Sequence, residues 1–154
     1  MNERPMAIIL GFTGTKQGMT PEQKESVKNI LTRFNEVKIK VSEAHHGDCV
    51  GADFEFHTIM KEATVPIGIH PPINPKYRAF CHGANFSYKD KLYPEKEYLD
   101  RNHDIVNVCD LLIATPKSFK EEIRSGTWAT VRYAKHNNKV IAVIYPNGKV
   151  VYHG

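Results

Sequence analysis

The sequence predicts an α/β protein in which a mostly parallel sheet of about five strands lies between two layers of helices. Short apolar runs, each stopped by glycine or proline, alternate along the chain with segments whose apolar residues recur at spacings of three and four. The loops after the first and fourth runs are rich in Gly, Ser and Thr, as expected where parallel strands end at a ligand crevice. With 154 residues, 41% of them hydrophobic, and no repeat or low-complexity segment, one domain over residues 1–154 is expected.

"MAIILGFTG" reads as a buried central strand. The helix after it opens with Thr20 as N-cap, Pro21 at its first position and Gln23 completing a capping box. Val27, Ile30, Leu31 and Phe34 mark its inner face. "KVSEAHHG" is a second strand, and "GADFEFHTIMKEA" a second helix with Phe56, Ile59, Met60 and Ala63 facing inward. "VPIGIHPP" is a third strand, ended by prolines. An irregular stretch from about Pro71 to Tyr93 follows, long enough to be a binding loop. "PEKEYLDRNHDIVNVCD" looks helical, with Tyr98, Leu99, Ile105 and Val108 as apolar contacts. "LLIATP", "SGTWATVRYAKHNN" and "KVIAVIYP" supply a fourth strand, a fourth helix and a fifth strand. The turn signal Asn147-Gly148 then allows the tail to add a hairpin strand at an edge.

Charge and cysteine content narrow the classes. A net charge of +4 with scattered Lys and Arg does not argue for nucleic acid, though a few local cations suffice for a small polyanion. No apolar run approaches the roughly 20 residues that span a bilayer. "MNERPMAIILG" is a poor signal peptide, so a cytoplasmic location is expected. Cys49, Cys81 and Cys109 form neither a disulfide framework nor a zinc ribbon and read as reduced thiols.

Four stretches carry chemistry. In "GFTGTKQG", Gly11, Gly14 and Gly18 let backbone amides approach a ligand, Thr13 and Thr15 add hydroxyls, and Lys16 can meet a phosphate. The spacing matches neither a Walker A motif nor a dinucleotide fingerprint, and an ordinary turn explains it as well. In "RSGTWAT", Ser125, Gly126 and Thr127 sit at a helix start, where free N–H groups favour an anion, with Arg124 beside them. Trp128, in phase with Val131 and Ala134, is expected in the core. "HHGDCVGAD" invites a metal or a Cys49–histidine reading, but Gly47 and Gly51 favour a backbone loop at the end of the second strand. Asp53 and His57, four apart on one helix face, suit either acid–base work or structural hydrogen bonds. In the long loop, Arg78 among Tyr77, Phe80, Phe86, Tyr88 and Tyr93 could grip a base or pack the loop down.

Taken in order, "GFTGT", "HGDCVGAD", "LDRNHDIVNVCDLLIATP" and "SGTWATVRYAKHNNKVIAVIYPNG" resemble the SLOG superfamily of Rossmann-like domains. That superfamily includes DprA, the LOG phosphoribohydrolases and the YspA-like branch, to which the chain is most similar. The resemblance covers about Ala7 to Gly148. It implies a Rossmann-like three-layer sandwich with a nucleotide-type ligand at the carboxyl ends of the strands. The positions implied are Gly11, Thr13, Gly14 and Thr15; Gly47, Asp48, Gly51 and Asp53; Arg101 and Asn102; and Ser125, Gly126 and Thr127. The motif glutamate of LOG enzymes is replaced by Thr130, and their glycine pair by Arg124-Ser125.

The expectation is therefore a binder of a nucleotide or nucleotide-derived metabolite, such as an ADP-ribose-type or cyclic signal. An N-glycosidic hydrolase or transferase of the LOG type is the alternative, with Asp53 or Asp48 as catalytic carboxylate. Single-stranded nucleic-acid binding, as in DprA, is a third. No metal, cofactor or membrane contact is expected, and the resemblance implies a homodimer or higher homo-oligomer.

Overall fold

A computed structural model describes residues 6–83 and 86–154. Residues 1–5, the start of the stretch read as a poor signal peptide, and residues 84 and 85 of the long loop lie outside the described residues.

Among the described residues, seven strands and four α-helices follow one another. They are β1 (Ala7–Gly14), α1 (Pro21–Glu36), β2 (Lys40–His46), α2 (Ala52–Glu62), β3 (Ile67–Ile69) and β4 (Lys91–Leu92), then α3 (Tyr98–Val108), β5 (Leu111–Thr115), α4 (Gly126–His136), β6 (Val140–Ile144) and β7 (Val150–His153). The sheet order is β4-β3-β2-β1-β5-β6-β7, and every pairing is parallel except that of β6 with β7. The hairpin strand expected at the tail is β7. β4 has no counterpart among the expected strands: two residues carry no readable alternation, and pairing with β3 is what makes them a strand.

Alternation along β5 shows how the layers form. Leu111 and Ile113 join one core with Val27, Ile30, Phe56 and Met60 of α1 and α2. Leu112 and Ala114 join a second core on the other face, with Val106 of α3 and Trp128 and Val131 of α4. Phe12 stacks on Phe56 at 4.2 Å, tying β1 to α2. Trp128 is core, as its periodicity indicates.

The capping box of α1 is present, and Gln23 does more than cap. Its buried amide also donates to the carbonyls of Pro116 and Ile144 at 2.8 and 2.9 Å, fastening α1 to the ends of β5 and β6. Two inward faces need correction. Ala63 is exposed at the C-cap of α2. On α3 the buried residues are Arg101, Asn102, Ile105 and Val106, whereas Leu99 is exposed, Tyr98 half-exposed and Val108 half-buried. Apolar spacing points elsewhere because this helix turns a charged residue and an amide toward the sheet. No helix among the described residues is long and apolar enough to cross a membrane.

Candidate functional site

β1 and β5 are neighbours, yet the helices following them lie on opposite faces of the sheet. Their carboxyl ends therefore diverge into a crevice, as at the switch point of other doubly wound sheets. A cleft of about 520 Å³ opens there. Of the residues singled out in the sequence, Thr13, Gly14, Thr15, Lys16, Gly47, Asp53, Asn102, Arg124, Ser125, Gly126 and Thr127 line it. Cys49, Tyr77 and Arg101, also named from the sequence, line it as well, together with Tyr98 and Lys117.

Gly11, Asp48, Gly51 and Arg78 do not line it, and each has a structural reason for its identity. A Cβ on Gly11 would lie 2.9 Å from the Cys109 sulfur, so this glycine lets α3 approach β1. Gly51 has φ +84°, and a Cβ there would strike the Lys16 carbonyl; the bare backbone lets the β1–α1 loop rest on the start of α2. The Ala52 amide then donates to Thr15 O at 3.0 Å. Asp48 is fully buried and is consumed by Arg78 and the Cys81 amide. Arg78 is consumed in turn by Asp48 and Glu95.

Arg101 dominates the deep wall. Its Nε donates to Asn102 Oδ1 at 2.7 Å, and Nη1 donates to the carbonyls of Gly47 and of His70, the latter at 3.2 Å. Nη2 meets only the Cys49 sulfur among the described residues, at 3.8 Å. Among the described residues no carboxylate lies within ion-pair distance of this guanidinium, although it is only 3% exposed. Gly47 explains the seating: a Cβ there would fall 2.6 Å from Nη1 and 3.1 Å from Asp53 Oδ2. The sequence does contain a signal for Arg101, which lies four residues before Ile105 and eight before Cys109 on the buried face of α3.

Asp53 faces Arg101 across Gly47. Burial pushes its carboxyl up to about 6, against the opposing pull of Arg101 and of the Cys49 and Gly47 amides that donate to it. Burial also pushes the Cys49 thiol up to about 11, Asp53 adding to the effect, so this cysteine is no ready nucleophile despite its place in the cleft.

On the opposite wall Ser125 caps α4, accepting from the Trp128 amide at 3.3 Å. Thr130 returns its hydroxyl to the Gly126 carbonyl at 2.9 Å and offers the cleft nothing. The Tyr98 hydroxyl occupies the space that a Cβ on Gly126 would need, while its ring lies 4.8 Å from the Arg101 guanidinium carbon. Gly126→Ala is therefore expected to cost about 1–3 kcal/mol through overpacking. Urea unfolding checks this, and Tyr98→Phe should recover part of the loss; an equal cost in both backgrounds would mean that the phenol is not the obstacle.

The histidines of "HHGDCVGAD" form hydrogen-bonded pairs on either side of β2. His45 Nδ1 lies 2.8 Å from His70 Nε2, and His46 Nε2 lies 2.9 Å from His57 Nδ1. His46, His57 and Cys81 bring three ligand-type atoms within 4.8 Å of one another, a cluster that spacing along the chain does not suggest. Its chemistry does not suit a metal. The Asp48 amide donates to His46 Nδ1 at 3.0 Å, which leaves the proton on Nε2, the atom that would have to bind the ion. In the long loop, Tyr77 meets the cleft, with Lys16 Nζ 4.2 Å over its ring. Phe80, Phe86 and Tyr88 are exposed away from the cleft, and Tyr93 stacks on His70 at 4.1 Å.

No family model matches the chain, and no curated protein matches it in sequence. Among solved structures it is similar to the X-ray structure of TM1055, a structural genomics target, with a TM-score of 0.55 and 10% identity. The match covers 87% of this chain and 72% of that one. At that identity the likeness is one of fold, in agreement with a Rossmann-like α/β sandwich.

Proposed function

We propose that the protein binds a nucleotide or nucleotide-derived metabolite, such as an ADP-ribose-type or cyclic nucleotide signal, through its phosphate in the cleft beyond β1 and β5. The observation that carries this is Arg101, a buried cation on the cleft wall with no carboxylate within ion-pair distance among the described residues. An unpaired buried charge is costly, and a ligand phosphate would satisfy the donors of Nη2. The start of the 11-residue helix α4, together with Lys16, Lys117 and Arg124, adds to the positive potential around it. Tyr77 and Tyr98 offer ring faces beside these groups.

A thermal-shift series with AMP, ADP, ADP-ribose, cyclic AMP and a short single-stranded oligonucleotide tests the reading. Mononucleotides at about 100 times Kd should add about 2.7 kcal/mol of apparent stability. A midpoint raised by the oligonucleotide alone would show that the metabolite reading is wrong.

Asp53 favours a second reading, cleavage of the N-glycosidic bond in such a nucleotide. A cleft carboxyl held at about 6 is poised to exchange a proton near neutral pH. Chromatography after incubation would then show free base. Release of base by wild type and not by Asp53→Asn supports cleavage, and unchanged nucleotide excludes it for that compound.

A further inference from the structure

In doubly wound sheets that hold dinucleotides, the ligand extends from the switch-point crevice across the end of β2, where an acidic residue takes the ribose hydroxyls. The acidic residue just beyond β2 here is Asp48, and it has nothing left to offer. It is fully buried, with Oδ2 accepting from Arg78 Nε at 2.7 Å and Oδ1 accepting from the Cys81 amide at 2.8 Å. The other arm of Arg78 reaches Glu95 at 3.0 Å, which anchors the clasp from outside.

Backbone bonds lay the long loop over the same place. The Val50 amide donates to Tyr77 O at 2.8 Å, the Ala79 amide donates to Asp48 O at 2.7 Å, and Cys49 and Arg78 form an antiparallel bridge. Residues 77–81 thus run against the β2–α2 loop, where a second nucleoside would have to lie. The cleft lies between the Gly/Thr loop, α3 and the start of α4, and Gly47, Cys49, Asp53 and Tyr77 form its wall on the β2 side.

We propose that the Asp48–Arg78–Glu95 clasp is a size filter, limiting the cleft to nucleotides with a single nucleoside and excluding dinucleotides that would extend over β2. The inference rests on the nucleotide reading above and narrows it. It also accounts for the long loop, because Arg78 selects by closing a space, without touching the ligand.

Calorimetric titration of the full chain with AMP, ADP, ADP-ribose and NAD separates the two claims. Wild type should bind AMP, ADP or ADP-ribose, each with a single nucleoside, at least tenfold more tightly than the dinucleotide NAD. Arg78→Gln, and more mildly the exposed-arm variant Glu95→Gln, should narrow that gap by gaining NAD affinity while AMP affinity stays within about twofold. NAD binding wild type as tightly as AMP overturns the filter and leaves the nucleotide site standing, as does an unchanged gap in a folded clasp variant. Absence of binding by all four overturns the nucleotide reading itself. The wild-type comparison decides even if Arg78→Gln does not fold.

Discussion

Arg101→Met should lower nucleotide affinity about 100-fold. A hydrogen bond to a charged group contributes about 1.5–3 kcal/mol, or roughly 10- to 150-fold in binding. Arg101 is the cleft cation least screened by water, since Lys16 and Arg124 are exposed. The fold should survive, because methionine fills much of the same volume and removes a desolvated charge. The carbonyls of Gly47 and His70 lose their donor, a stability cost of about 1–3 kcal/mol. Arg101→Lys keeps the charge without the planar fork, so its loss of affinity should be smaller. The Asp53 carboxyl should also rise above about 6 once the cation is gone, which a carboxyl titration by NMR would read. Calorimetry at fixed salt is the main measurement; wild-type affinity in folded Arg101→Met would place the anion elsewhere.

Stability should fall steeply as pH drops from 7.5 to 5.5. His45, His46, His57 and His70 are buried in two pairs, and burial holds each below the ordinary histidine value of 6.5, His70 down to about 3. The pairs require this: with the Glu43 carboxylate accepting from His45 Nε2, His45 Nδ1 must accept from His70, and a proton added there would set two N–H groups head to head. The folded state therefore refuses protons that the unfolded chain accepts. Stability is complete above 6.5 and is lost as pH falls, by about 1.4 kcal/mol per pH unit for each histidine that titrates only when unfolded. For His70 the window runs from 6.5 down to about 3.

Asp53 has the opposite sign. It is raised to about 6 from 3.8, so the folded state takes up its proton first, and stability returns through that interval. The steepest loss is thus expected just below 6.5, easing by one proton below about 6. Urea unfolding at several pH values measures the slope, which His70→Gln should reduce by about one proton. Unchanged stability between pH 7.5 and 5.5 would mean that the histidine pairs do not form.

These pairs and the seating of Arg101 show where reading along the chain stops being informative. The capping box of α1 spans Thr20 to Gln23, and the Trp128–Val131–Ala134 stripe lies within one helix. Such features are local, and local periodicity carries them. "HHGDCVGAD" looks reactive as a string, and its glycines do mark a loop at the cleft. Its aspartates, alike in sequence, part company in the fold: Asp53 faces the cleft, whereas Asp48 is turned inward to hold the long loop.

By itself the sequence determined the alternation of strands and helices, the two layers, and the crevice-facing loops after the first and fourth apolar runs. These follow from side-chain period and turn chemistry, which act over a few residues. The tertiary structure alone decided that Arg101 would be buried with no carboxylate in ion-pair distance among the described residues, that Gly126 would make room for Tyr98, and that Arg78 would close the end of β2. Those outcomes depend on contacts such as that of Arg101 with Gly47, separated by 54 residues, or Arg78 with Asp48, separated by 30. A charged side chain has the same identity whether solvated, paired or left facing a cleft, and only the packing around it distinguishes the three.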